Sequence, residues 1–495
     1  MIGAGFGSRS PVVTPDGTKL FVCNRFSNDL SVIDVGSFTE QKRIPMVREP
    51  YCAAVTPDGT TLVVGNLLPN DRSTDSTEIS VKVTLVNVIT TEVEKEIRLP
   101  VGSTGLTSIA VSPDGNYAFA AHTINIFGIL ISTCVAGWSS NNMVSIINLQ
   151  TREFLNSVSL DRANKGMANP GAVAFSGDGR HLCVTHAGRD ELSVINYQPF
   201  IDTVETLTQQ GYDLLRKLDF QSALGTRVVP TGRCPRSLAI VDSTIYTAGY
   251  FDDVDESVYK HVITPDTVLT THFQAGTSAT QTSARKGEAL FYDAGICMQG
   301  WQSCHSCHVF TRTSGLNRVL NSGSHLTPKN TTSMLYSWWT PPTTWIGRRE
   351  NTAASVIAGE KLELFQQSQD PVSFPLDTFL MHLRPAASPF REKGILSASA
   401  SRGKELFNGD KAGCFKCHPA PLFTDNLMHA AFVPDEYDIS DMNTPSLAEV
   451  WRTAPYDHLG SMKTVKEMIL LPGHNGAAAL TTDEIDDLTE YVLSL

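Results

Sequence analysis

Cys304-His-Ser-Cys-His308 and Cys414-Phe-Lys-Cys-His418 are the residues of this chain best suited to chemistry. Two thiols at this spacing on one turn can each form a thioether with a haem vinyl, and the histidine that follows then meets the iron from the proximal side. One Cys-x-x-Cys could instead be half of a zinc site or a redox dithiol. Two, each behind a Gly-x-x-Leu-Phe run (Gly287-Glu-Ala-Leu-Phe and Gly403-Lys-Glu-Leu-Phe), argue against both alternatives. Two covalent c-type haems are therefore expected, one held by Cys304, Cys307 and His308, the other by Cys414, Cys417 and His418. His305, inside the first motif, is expected to be a solvent-facing spacer.

Such turns need helices to position them, and the second half of the chain supplies a duplicated set. Ala284-Arg-Lys-Gly-Glu-Ala-Leu-Phe leads to the first motif and Ala400-Ser-Arg-Gly-Lys-Glu-Leu-Phe to the second. Each copy closes with an amphipathic run, Asp377-Thr-Phe-Leu-Met-His-Leu in one and Thr482-Asp-Glu-Ile-Asp-Asp-Leu-Thr-Glu-Tyr-Val-Leu in the other. The second run opens with a capping residue and an acidic first turn, which suits the positive end of a helix dipole. This predicts two all-α, cytochrome c-like haem domains, over residues 285–390 and 391–495.

The first half has a different grammar. Val13-Thr-Pro-Asp-Gly-Thr-Lys-Leu-Phe-Val recurs at Val55, at Val111 as Val-Ser-Pro-Asp-Gly, at Phe175 as Phe-Ser-Gly-Asp-Gly, and in degenerate form from Ile240. Proline presets the turn and glycine takes the positive-φ position, so each copy reads as a hairpin. Third strands follow (Leu30-Ser-Val-Ile-Asp, Val144-Ser-Ile-Ile-Asn, Leu192-Ser-Val-Ile-Asn), then fourth strands such as Val93-Glu-Lys-Glu-Ile-Arg-Leu-Pro. Units of this kind describe propeller blades. The expectation is an all-β propeller of about six or seven blades over residues 1–271, joined by a linker over 272–284. Five copies are fewer than that, which asks for unreadable blades or for a chain that begins late.

With 495 residues, several domains are expected. A net charge of −12 opposes binding to nucleic acid or to an anionic membrane surface. No run reaches the ~18 apolar residues that a membrane span needs. The N-terminus shows no basic region followed by an apolar one, so no secretory signal is visible. Six cysteines lie outside the motifs (Cys23, Cys52, Cys134, Cys183, Cys234 and Cys297). They read as small buried hydrophobes, with one or two disulfides as the alternative. His122 and His186, each at the end of a strand, read as structural.

The Pro-Asp-Gly units resemble the YVTN-type propeller repeat. Residues 284–495 resemble the bacterial di-haem cytochrome c peroxidase superfamily, which includes the methylamine-utilisation di-haem enzyme. The stretches that carry the likeness are Gly287-Glu-Ala-Leu-Phe-Tyr-Asp, Ser303-Cys-His-Ser-Cys-His, Trp345-Ile-Gly-Arg348, Pro421-Leu-Phe-Thr-Asp, Thr444-Pro-Ser-Leu and Thr453-Ala-Pro-Tyr-Asp-His-Leu-Gly. The likeness implies a distal histidine on the first haem, for which His325 is at a fitting place. For the second haem it implies a Met or Tyr, but Pro472 falls at that position. His474, Met468 and His458 are the candidate replacements, His474 preferred because imidazole binds both ferric and ferrous haem.

The family's acid–base glutamate implies Glu360 or Glu363, with an exposed helix face as the alternative. Trp345 would relay electrons between the haems, whereas Trp338 and Trp339 read as core aromatics. Arg348 would pair with a haem propionate. The family's calcium is not called for by any acidic cluster. The resemblance implies electrons passing from a small cytochrome or cupredoxin through haem 2 to haem 1, where peroxide or another small molecule would react. A carrier with both irons six-coordinate, or a propeller-based binding subunit of a redox complex, are the alternatives. Haem attachment of this type implies a periplasmic or extracellular setting, with oligomeric state left open.

Overall fold

Thr14, Thr56, Ser112 and Ser176 each donate a hydroxyl to the aspartate two residues on. That aspartate also accepts the backbone N–H of Thr18, Thr60, Asn116 or Arg180 at 3.0–3.1 Å. Gly17, Gly59, Gly115 and Gly179 then turn the chain at φ between +70° and +73°, a region L-residues seldom occupy. This bracing makes each repeat a hairpin.

The computed structural model describes residues 4–126, 139–215, 217–252, 258–276, 281–321, 326–365, 373–430, 441–474 and 479–495, the side chains of 320–327 excepted. Among them, residues 8–45, 50–98, 103–159, 170–230 and 238–273 each form a four-stranded antiparallel sheet in sequence order. The core lies between successive sheets. Phe21, Leu30 and Val32 of the first pack on Leu62, Val64 and Val86 of the second. Val63 and Leu85 meet Leu106 and Ala118 of the third, and Phe119 and Ile146 meet Leu182 and Val184 of the fourth. Leu192 and Val194 then meet Ile245 and Val268 of the fifth.

The opening strands of all five sheets, or the residues just before them, converge on one cavity through Arg9, Tyr51, Thr107, Gly171 and Ser237. Radial sheets around a shared axis give a propeller-like domain. Five described sheets stand where six or seven blades were expected, one for each readable repeat. The fourth sheet also holds an unforeseen helix, Tyr197–Gln209, between its third and fourth strands, with Phe200, Ile201 and Val204 buried.

The duplicated Gly-x-x-Leu-Phe runs are the helices Ser283–Tyr292 and Ala398–Asn408, and the closing runs are Ser373–Met381 and Thr482–Leu493. The repeated glycine has a clear cause. A Cβ on Gly287 would lie 1.9 Å from the Pro375 carbonyl oxygen, and one on Gly403 would lie 1.9 Å from that of Asp487. Each opening helix therefore crosses its closing helix backbone to backbone. The half is not wholly helical, since it includes two short antiparallel hairpins, Asn317–Asn321 with Leu326–Asn330 and Met428–Ala430 with Asp441–Asn443.

Cys23, Cys52, Cys183, Cys234 and Cys297 are buried and in no disulfide among the described residues; Cys134 lies outside the described residues. His122 and His186 are buried with both ring nitrogens hydrogen-bonded, Nε2 to Ser145 and Ser193 respectively. They hold the sheets together, as expected. Trp338 and Trp339 are not core: they are 37% and 50% exposed. No helix among the described residues is long and apolar enough to cross a membrane.

Candidate functional site

The propeller holds the first Cys-x-x-Cys-His turn in place. Ser303 caps the short helix Cys304–Cys307 through a reciprocal box with Ser306. Asn169, from the propeller, donates to Ser303 Oγ at 2.8 Å and accepts from Ser306 Oγ at 2.8 Å. Ser140 donates to Gln302 Oε1 at 2.8 Å. Trp301 is fully buried at the same junction, and a Cβ on Gly166 would lie 2.4 Å from its Cα. His305 is consequently not solvent-facing. It is 8% exposed, its ring centroid lies 4.7 Å from that of Tyr292, and its Nδ1 accepts the Phe310 N–H at 3.1 Å. Burial foremost, then the nearby Arg236 and Arg25, hold its pKa down to about 3.

The two motif histidines share one arrangement. His308 Nδ1 is 2.9 Å from the Thr332 carbonyl oxygen, and His418 Nδ1 is 3.0 Å from that of Phe423. A ring that donates from Nδ1 keeps a lone pair on Nε2, the tautomer an iron requires. Burial lowers the pKa of both, that of His418 to about 4, which keeps the rings neutral. Burial also raises the Cys304 thiol to about 12 and the Cys414 thiol to about 11. Thiols held protonated are poor exchange nucleophiles, which weighs against a redox dithiol.

A continuous cavity of 680 Å³ reaches both turns. Cys304, Cys307, His308, Trp345, Arg348, Glu360, Cys414, Cys417, His418, His458, Met468 and His474 all line it. His325 lies outside the described residues. His474 repeats the motif histidines' arrangement, with Nδ1 2.7 Å from the Met468 carbonyl oxygen. It is close enough to His418 to depress that residue's pKa, after burial and against the Phe423 hydrogen bond.

Trp345 sits between the two duplicated helical units. Its indole N–H donates to the Asn330 carbonyl at 2.8 Å, its own carbonyl accepts the Asn443 N–H at 2.7 Å, and its ring lies 6.5 Å from that of the buried His458. Glu360 is on the helix Thr352–Leu362, buried rather than on an exposed face, and its Oε1 has no partner. Burial first, then Asp377, raises its pKa. Glu363 also lines the cavity, and burial raises its pKa to about 7 against the pull of Arg318 and Arg349.

Arg318 and Lys329, 6% and 5% exposed, join Arg348 and Arg349 on the cavity wall. Sequence reasoning reached only Arg348, which is exposed. Arg318 and Lys329 come from hairpin strands without any motif, so no signal marked them. Cations on an otherwise mainly apolar wall suit a large planar ligand with acidic arms. Two neutral histidines anchored through Nδ1 and two turns of paired thiols fit c-type haems. Among the described residues, the one cluster of metal-ligand type is Cys417, Asp425 and His429. It includes a thiol of the second motif and is unlike the all-oxygen shell of calcium.

Residues 281–381 match the profile of the di-haem cytochrome c peroxidase family. That stretch is where this chain is similar to the family. Relatives include the methylamine utilization protein MauG of Methylorubrum extorquens, 27% identical over 38% of this chain and 68% of its own. The hydrazine synthase subunit gamma of Kuenenia stuttgartiensis is 24% identical over 47% of this chain and 83% of its own. A solved Kuenenia stuttgartiensis hydrazine synthase chain aligns with 54% of this one and 83% of its own, at 21% identity and a TM-score of 0.39.

Proposed function

We propose that this chain is a di-haem redox protein of the peroxidase type, taking electrons from a partner at the second haem and reducing a small molecule at the first. The observation that carries the reading is the single cavity joining two histidines of identical anchoring, with Trp345 between the domains. Cys304, Cys307 and His308 would hold one haem, Cys414, Cys417 and His418 the other. When bound, the haems supply one-electron chemistry and, where a coordination position is open, a site for a peroxide oxygen.

The chain's own residues supply the rest. Peroxide reduction consumes two electrons and two protons and yields two waters. Glu363, with a pKa of about 7, can both hold and release a proton near neutrality. Glu360, whose carboxyl burial and then Asp377 push upward, is the other candidate acid. Arg318 and Lys329, with Arg348, would neutralise haem propionates. Trp345 would carry electrons across the domain boundary. His474 would close the second haem, consistent with a transfer role there. His325, Met468 and His458 remain the other candidate distal ligands.

The donor would be a small cytochrome or cupredoxin in a periplasmic or extracellular setting. The second reading, a carrier with both haems six-coordinate, is favoured at the second haem by the His474 arrangement. Optical and EPR spectra of the haem-loaded chain, as isolated and half-reduced, separate the two. A high-spin haem that reacts with hydrogen peroxide supports the enzyme. Two low-spin haems inert to peroxide in every redox state would overturn it.

A further inference from the structure

A second cavity, of 280 Å³, lies where the propeller axis meets the first haem domain. Arg9, Tyr51, Thr107, Gly171 and Ser237 reach it from the five sheets, and Tyr292, His305, Ser306 and Phe310 close it from the haem side. None of its lining residues is an aspartate or glutamate, whereas two, Arg9 and Arg236, are arginines. Neighbouring cations are neutralised: Arg25 pairs with Glu49 at 2.6 Å and Arg285 with Glu288 at 2.8 Å.

Arg9 and Arg236 have no such partner among the described residues. Arg9 stacks on the Tyr51 ring at 3.1 Å, and Arg236 lies between Tyr250 at 3.8 Å and Tyr292 at 4.1 Å. The buried Nε of Arg9 and Nη2 of Arg236 make no hydrogen bond. Stacking on aromatic faces fixes each guanidinium plane; Arg236 Nε donates to Cys234 Sγ at 3.4 Å, which leaves its Nη2 to donate into the cavity. A buried cationic donor without a partner is costly. Two of them on one cavity make a preformed receptor for negative charge.

We infer that this cavity binds a small organic anion bearing one or two carboxylates, clamped between Arg9 and Arg236. The volume lies just under the ~300 Å³ lower end for ligand pockets, which sets the size class. Tyr51, Tyr292 and Phe310 suit the apolar part of such a molecule. The ligand would rest on His305 and Ser306, directly behind the first haem turn. Its charge would stabilise the oxidised, more positive form of that haem, so occupancy would lower the haem 1 midpoint potential. The proposal stands whether or not peroxide is a substrate.

The test is isothermal titration calorimetry of the haem-loaded full chain with succinate, with succinamide as the uncharged isostere. One saturable site is expected for succinate, none for succinamide. Affinity should fall at least tenfold in Arg9→Gln and Arg236→Gln, while Arg236→Lys keeps most of it. Equal binding of succinamide, no saturable succinate heat, or unchanged affinity in a natively folded Arg9→Gln/Arg236→Gln double variant would overturn the proposal. Should that variant not fold, crystals of the wild-type chain soaked in selenate decide it. An anomalous peak between the two guanidinium groups supports the site, and its absence at saturating selenate overturns it.

Discussion

Glu449 and Arg312 form a bidentate pair between the two duplicated helical units, Nε to Oε2 at 2.5 Å and Nη2 to Oε1 at 3.1 Å, with the carboxylate side chain wholly buried. Glu449 also accepts the Ala386 N–H and lies 3.6 Å from Arg452. Arg452 in turn lies 3.6 Å from Glu49 of the propeller, which Arg25 holds at 2.6 Å. Burial alone would raise the Glu49 pKa, but Arg25, Arg452 and Arg48 bring it below the ordinary value. One buried charge network therefore ties the propeller to both helical units.

Removing one member of such a pair strands its partner. Arg312→Leu should destabilise the chain by about 3–5 kcal/mol, and Arg312→Leu/Glu449→Leu should recover much of that loss. Denaturant midpoints of the two variants check this; equal loss in both would show that the cost is packing rather than stranded charge.

The helix crossings predict a backbone clash for the smallest possible change. Gly403→Ala and Gly287→Ala each place a methyl 1.9 Å from a carbonyl oxygen. Each should cost about 1–3 kcal/mol through overpacking. Gly359, whose added Cβ would meet nothing within 4 Å, is the control: Gly359→Ala, inside the helix Thr352–Leu362, should stabilise slightly. Thermal melts of the three variants give the comparison.

At the second haem, His474→Ala should open a coordination position, turning one low-spin EPR signal high-spin, with added imidazole restoring it. Met468→Leu should leave the signal unchanged. The reverse pattern would assign the ligand to Met468.

Glu363 predicts a pH dependence. Its folded pKa of about 7 lies above the ordinary 4.5. Between those values the folded chain keeps a proton that the unfolded chain has released, so stability falls as pH rises. The penalty is absent below both values, complete above pH 7, and on the order of 3 kcal/mol. Glu363→Gln should gain stability relative to wild type at pH 8 but not at pH 4. Denaturant midpoints at the two pH values test the sign. A gain of the same size at both would mean that the carboxylate is not protonated on folding.

The Cys-x-x-Cys-His turns, the duplication of the helical half and the hairpin repeats were legible in the residues because each depends on local chemistry. Thiol spacing sets haem attachment, a glycine marks each helix crossing, and Pro-Asp-Gly makes a turn wherever it occurs. The buried histidines of the propeller could likewise be expected from their strands.

What depended on long-range packing was not legible. His305 looked like a spacer because nothing local reveals that the propeller covers its turn. Glu360 looked like one acid on a helix face until other elements buried it. Arg318 and Lys329 carry no motif and gain their place from a hairpin folded against the first haem turn. Trp338 and Trp339 have the composition of core and the exposure of surface. The sequence by itself determined which thiols and histidines share a turn and which segments become strand or helix, because those choices are made within a few residues. Only the tertiary structure decided which charges are buried, which are paired and which face a cavity, because desolvation depends on chain segments hundreds of residues apart.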